Sequence, residues 1–434
     1  MGADYTESIG WKAGRLKRKA LSEIEPERNR GIEMARTVSI GNQDFESLRV
    51  KNCFYVDKTG FIREWWESED VVTLIARPRR FGKTLNMNML EKFFSVEYAG
   101  RSDLFEGLDI WKEEKYRRLQ GAYPVVMVSF ASIKETNYAM ARRKICQILT
   151  DEFNKHHFLL EEECLTDQEK ETFCRKNIDM DDADATLALN QLSLYLSRYY
   201  GRKVIILLDE YDTPMQEAYM NGYWPRLTAF VRSLFNSTFK TNEYLYRGLL
   251  TGITRVSKES VFSDLNNLEV VTTTSEKYED SFGFTEEEVA ALCAQQTTLS
   301  MEEISEWYNG YQTRDDRRIY NPRSVVCALE DGACQSYWTN TGKMDEVLFY
   351  LKHNIDEVRE DAIKMVNHMP VRIEIRKEYT AGQGRPTTKK EIYAAMIIYG
   401  LLSYCDGELR IPNKELMLEF ESALEDHDFG YVTK

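Results

Sequence analysis

Residues 72 to 86, VTLIARPRRFGKTLN, pass from an apolar run through a short loop into a segment with helical spacing. In that segment Leu85, Met89, Leu90, Phe93 and Phe94 fall on one face. Three more apolar runs bounded by polar or turn residues, at 124–130, 204–208 and 244–251, join 71–76 as strands, and helical periodicity at 138–153 and 185–200 lies between them. Strands alternating with helices predict an α/β fold, a parallel doubly wound sheet with helices on both faces.

The loop ends Gly82-Lys83-Thr84, as a phosphate-binding P-loop ends, but Arg77 followed by Pro78 stands where the pattern opens on glycine. In such a loop successive amides and the helix N-terminus face the phosphates, the lysine meets the terminal ones and the hydroxyl helps hold Mg²⁺. Gly82, Lys83 and Thr84 fit those roles, and a side chain at Gly82 would keep the backbone from wrapping closely round a phosphate. The Arg-Pro pair favours an extended start to the loop and leaves the cradle itself intact.

A lone GKT arises by chance, so its weight depends on an acidic partner strand. At 204–212, VIILLDEYD, a buried-type strand ends in Asp209 and Glu210. Asp209 suits the Mg²⁺ shell and Glu210 suits polarising a water; the bland alternative is a strand ending in solvated acids. Along the chain one strand, 124–130, separates the loop strand from the acidic one, the spacing expected when the water-activating glutamate accompanies the metal-binding aspartate. The run YLYRGLLTGITRVSK delivers Thr251, Thr254 and Arg255 near the same sheet edge. Thr254 suits a hydrogen bond and Arg255 a charge contact to a γ-phosphate, against an exposed strand-end arginine. Arg79 and Arg80 divide in the same way between phosphate, a partner and solvent.

The chain has 434 residues, 43% hydrophobic and 29% charged, enough for two or three packed units. The texture divides it into a basic N-terminal extension (1–37), a sheet core (38–275), a helical lid (276–345) and a winged-helix-like region running into a connecting helix (346–434). A formal charge of -14 opposes nonspecific binding to nucleic acid or an anionic membrane and favours a protein partner or self-association. Basic exceptions are WKAGRLKRK at 11–19 and Arg376, Lys377, Arg385, Lys389 and Lys390. The 8 scattered cysteines form no metal or disulfide pattern, and no apolar run approaches a membrane span, which predicts a cytoplasmic protein. His156-His157 lacks the carboxylate helix motif of a metal site.

Together FYVDKTGFI, ARPRRFGKT, VIILLDEYD, LLTGITRVSKESVFSDLNNL, WYNGY, YNPRSV, YWTNTG and RIPNKE closely resemble the bacterial AAA-ATPase-like family, whose members look like relatives of the signal-transducing and archaeal-type P-loop ATPases. In that family RPRRFGKT is the usual loop, so Arg77 is a family trait. The resemblance implies nucleotide contacts at Arg79, Gly82, Lys83 and Thr84, metal and water roles at Asp209 and Glu210, and a sensor at Arg255. It also implies that Asp57 and Lys58 line the nucleotide pocket, against the alternative that the pair only fixes the packing of its own segment. Many relatives continue into a PD-(D/E)XK nuclease domain, whereas this sequence stops at Lys434, so nuclease activity is not assigned to it. The expected activity is that of a slow ATPase using Mg²⁺ as a nucleotide-controlled switch. The alternatives are a nucleotide-stabilised protein- or DNA-binding adaptor, or the ATPase part of a nuclease system. No NKxD-like guanine-reading tetrapeptide stands in the expected place, which favours ATP.

Overall fold

The structure, a computed structural model, describes residues 41–254, 261–262, 265–273, 275–295, 298–312, 318–337, 351, 357–375 and 388–425. Arg255, the basic run at 11–19, and Arg376, Lys377 and Arg385 lie outside the described residues.

Two short helices, α1 (Phe45–Val50) and α2 (Gly60–Glu67), lead into β1 (Val72–Ala76) and then α3 (Lys83–Phe94). There follow β2 (Val125–Ser129), α4 (Tyr138–Lys155), α5 (Asp182–Tyr200), β3 (Val204–Asp209), α6 (Thr213–Met220), α7 (Trp224–Phe235), β4 (Leu245–Gly252) and β5 (Leu268–Val271). The five strands make one parallel sheet in the order β2-β3-β4-β1-β5. The four strands expected from the sequence are all in it. In space it is β4, the latest of those four in the chain, that lies between the loop strand β1 and the acidic strand β3, while β2 sits at the edge.

Burial on both faces explains why these strands read as unbroken apolar runs. In β3, Val204, Ile206 and Leu208 enter a core with Ile145 and Leu149 of α4, Leu189 and Leu192 of α5 and Leu234 of α7. Their neighbours Ile205 and Leu207 enter the opposite core, with Phe45, Phe61 and Trp65 from α1 and α2 and Met89 and Phe93 of α3. Alternate side chains of one strand thus hold a helix layer on each side. Local signals agree with this packing. Asp181 caps α5 by accepting from the Asp184 amide at 2.8 Å, and Asn137 caps α4 by accepting from the Met140 amide at 3.0 Å. Leu207→Ala, at a fully buried site, is expected to cost about 2–5 kcal/mol, read as a lower denaturant midpoint at unchanged slope.

Beyond the sheet, β6 (Phe284–Thr285), β7 (Tyr311–Gln312) and β8 (Arg318–Tyr320) form a small antiparallel sheet packed with α8 (Glu286–Cys293), α9 (Met301–Tyr308) and α10 (Pro322–Asp331). Helices α8 and α9 start at capping boxes, Thr285 with Glu288 and Ser300 with Glu303. The C-terminal part comprises α11 (Val358–Val366), β9 (Val371–Arg372), α12 (Lys389–Ile398), β10 (Ser403–Cys405), β11 (Glu408–Arg410) and α13 (Lys414–Glu425). It has its own core of Val358, Met365, Ile392, Leu402, Leu409, Leu416 and Phe420. The expected helix, strand, turn and strand are there. Asp406 and Gly407 both take positive φ, 50° and 82°, as a two-residue hairpin turn requires, and join β10 to β11. Among the described residues no helix is long and apolar enough to cross a membrane.

Candidate nucleotide site

Strand β1 hands over to the loop without leaving the sheet, because the Arg77 amide still donates to Gly252 O of β4 at 3.2 Å. The loop then turns to Gly82, which has φ 81° and starts α3. That left-handed conformation favours glycine, and no side chain caps α3. The amides of its first turn thus have no side-chain cap, and the helix dipole there favours negative charge.

Lys83 is 6% exposed and folds back over the loop, donating Nζ to Arg77 O at 3.0 Å and Pro78 O at 2.8 Å. Burial pushes its ammonium below the usual lysine value, opposed by the carboxylates of Glu210, Asp212 and Asp209. The ammonium thus rests on two carbonyls inside an acidic surround.

Thr84 Oγ1 donates to Asp209 Oδ2 at 2.9 Å, across 125 residues of sequence. Thr251 at the end of β4 donates its hydroxyl to the other oxygen of Asp209. Asp209 is 1% exposed; burial raises its carboxyl above the usual range, and the hydroxyl bonds from Thr251 and Thr84 work against that rise. A folded pKa above the unfolded one means that the folded state binds the proton more tightly. Stability without ligand therefore falls as pH rises from the unfolded value through the folded one. Asp209→Asn is accordingly expected to raise the melting temperature of the ligand-free protein at neutral pH while removing Mg²⁺-dependent turnover.

Glu210 follows at φ 50°, a conformation uncommon outside glycine, and Thr213 Oγ1 donates to its Oε2 at 3.0 Å. The turn is bonded to the end of β4. The Tyr211 amide donates to Thr251 O at 3.0 Å and its hydroxyl to Thr254 O at 2.7 Å. Asp212 Oδ2 accepts from the amides of Ile253 at 3.1 Å and Thr254 at 2.8 Å, and from Thr254 Oγ1 at 2.7 Å. A Cβ at Gly252 would stand 2.6 Å from Asp212 Oδ1, so only glycine lets the carboxylate come this close.

The structure therefore brings Gly82, Lys83, Thr84, Asp209 and Glu210 together at the C-terminal ends of the sheet strands. Thr254 is 1% exposed and its hydroxyl is engaged by Asp212, while Thr251 supplies the hydroxyl that meets Asp209. Asp212 was missed from sequence, although it is the third acid of DEYD. The loop arginines separate. Arg77 is buried, with Nη2 3.4 Å from Lys277 O and 3.3 Å from Tyr278 O, its guanidinium 5.9 Å from the Phe282 ring, and burial pushes its pKa down to about 10. It joins the start of the loop to the segment after β5. Arg80 donates Nη1 to Tyr337 O at 2.7 Å, and Arg79 makes no hydrogen bond or ion pair among the described residues.

Asp57 and Lys58 hydrogen-bond to residues outside the loop. Asp57 accepts from the Thr59 amide at 2.9 Å and the Asp109 amide at 2.7 Å. Lys58 Nζ donates to Asp280 O at 2.6 Å and to both oxygens of Glu288 at 2.7 Å. Lys58 thus fastens the segment before α2 to α8, and Asp57 joins it to Asp109. The His pair sits just past the end of α4, with His156 as its C-cap.

A family model described as "Predicted AAA-ATPase" matches residues 39–262, just over half of the 434 residues. An uncharacterized protein of the vnfD 5′ region of Azotobacter chroococcum mcd 1 is 28% identical over 310 residues, 71% of this chain and 54% of that protein. The chain thus spans about half the length of this curated relative. Among solved structures, the Walker-type ATPase of Pyrococcus abyssi aligns over 85% of this chain and 96% of its own at 14% identity, with a TM-score of 0.39. By the match over its sheet core, the chain belongs to the AAA-ATPase-like family.

Proposed function

We propose that the chain binds ATP with Mg²⁺ at the loop 77–84 and hydrolyses it slowly, as a nucleotide-controlled switch. The observation that carries this reading is the Thr84–Asp209 hydrogen bond, which joins the end of the P-loop to the acidic strand. On ATP binding the phosphates take up the amides of the first turn of α3, and Lys83 exchanges the carbonyls of Arg77 and Pro78 for phosphate oxygens. Arg79 has no competing partner among the described residues and is the loop arginine best placed to join them.

The hydroxyl of Thr84 and the carboxylate of Asp209 would hold Mg²⁺. Their oxygens suit a hard cation that is normally bound through one or two protein groups and the substrate phosphates. When bound, Mg²⁺ offsets the charge of the β- and γ-phosphates. Glu210 polarises the attacking water, and its position relative to the end of β4 is set by Tyr211 and Asp212. Thr254 acts by holding that turn, and Arg255 supplies charge at the γ-phosphate.

Titrating the chain with a fluorescent ATP analogue tests the reading. Saturable, Mg²⁺-strengthened binding that ATP displaces better than GTP is expected. Binding that Mg²⁺ leaves unchanged would remove the role given to Thr84 and Asp209.

A further inference from the structure

Two contacts lead from neighbouring residues of the loop to the C-terminal part of the chain. Arg80 donates to Tyr337 O at 2.7 Å, and the amide of the same Tyr337 donates to Glu415 Oε1 on α13 at 2.6 Å. Glu415 is 1% exposed, and its Oε2 also accepts from Ser324 Oγ of α10 at 2.9 Å. The next loop residue, Phe81, meets the ring of Tyr311 edge-on at 5.1 Å, and Tyr311 donates its hydroxyl to Gly400 O, between α12 and β10, at 2.8 Å. Beside these contacts lies a cleft of about 40 Å³ whose lining includes Arg77, Pro78 and Phe81 of the loop, Tyr311, and Leu402 and Tyr404 of the C-terminal part.

The backbone of Arg80 explains why such support matters. It has φ 68°, a left-handed conformation that a side-chain-bearing residue keeps only when its surroundings hold it, and it lies two residues before Gly82. Whatever fixes the Arg80 side chain helps to fix the turn from which the cradle amides emerge.

We propose that Glu415 is a positioning residue for nucleotide binding: through Tyr337 it holds Arg80 and so the shape of the phosphate cradle. Seating of the segment 389–425 and occupancy of the loop then favour one another, each by the same factor, as linkage requires. The inference rests on the reading that the loop 77–84 takes nucleotide phosphates. It adds that a carboxylate more than 300 residues away in sequence, touching no nucleotide, tunes that affinity.

The test uses the full chain, a fluorescent ADP analogue and hydrogen exchange. Glu415→Ala is expected to weaken ADP binding about tenfold. Glu415→Gln, which keeps an acceptor for the Tyr337 amide, is expected to recover most of that loss. Tyr311→Phe, which removes one hydroxyl from the second contact, is expected to weaken binding about threefold, the size of a single neutral hydrogen bond, and carries the test if Glu415→Ala does not fold. ADP is expected to slow amide exchange within 389–425 in the unmodified protein and to leave it unchanged in Lys83→Ala. A merely structural role for Glu415 would not produce that nucleotide-dependent protection. Normal ADP affinity in Tyr311→Phe and in every folded Glu415 variant, with exchange at 389–425 indifferent to ADP, would overturn the coupling and leave the loop reading standing. An unmodified protein that binds no ADP would overturn both.

Discussion

Lys83→Ala is expected to weaken ATP binding by about 30-fold or more, the cost of removing one partner from a buried, charge-assisted contact. In the ligand-free protein the ammonium lies on the carbonyls of Arg77 and Pro78 with Asp209, Glu210 and Asp212 nearby, so binding needs only a change of partner. Such a group is already dehydrated and positioned, and gives up little on meeting a phosphate. Removing it leaves the acids of the site without their nearest buried cation, and they then repel the triphosphate. Calorimetric titration of both proteins at one salt concentration checks this. An alanine variant that binds within threefold of the original would show that the lysine serves only the loop carbonyls.

Glu210→Gln is expected to keep ATP affinity within a few fold and to lower turnover by about 10²–10⁴, the usual contribution of a positioned general base. The substitution suits the purpose because glutamine keeps the size of the side chain and an oxygen for the Thr213 hydroxyl, and the left-handed backbone suits the two residues alike. What it removes is the negative charge beside Asp209. Binding measured by titration, and phosphate release measured separately, should therefore come apart. Equal loss of both would mean that Glu210 holds the site together and does not activate water.

The sheet and its phosphate loop were legible because their signals are local. Buried parallel strands are continuous apolar runs, GKT directly follows one of them, and DEYD ends another. The strand β5 was missed because it is four residues long, pairs among the described residues with β1 alone and is largely half-exposed, so it carries little apolar pattern. Spatial order was also beyond one-dimensional reading: nothing in the spacing of runs says that β4 inserts between β1 and β3. In the site, Thr84 and Asp209 could be paired from motif logic, whereas Asp212 passed as one more acid in a run. Its role depends on two amides just past the end of β4. The resemblance marked Arg77 as usual for the family but could not say what it does, since its partners lie about 200 residues on. The contacts of Asp57 and Lys58 were hidden for the same reason, because Asp109 and Glu288 become their neighbours only through folding.

The proposed function requires that the P-loop and the acidic strand form one Mg²⁺-ATP site. It is tested most directly by a crystal structure of the full chain with Mg²⁺ and a non-hydrolysable ATP analogue. Expected are the phosphates on the amides at the start of α3, Lys83 released from the carbonyls of Arg77 and Pro78, and Mg²⁺ beside Thr84 and Asp209. Nucleotide bound elsewhere, with Lys83 still on those two carbonyls, would contradict it.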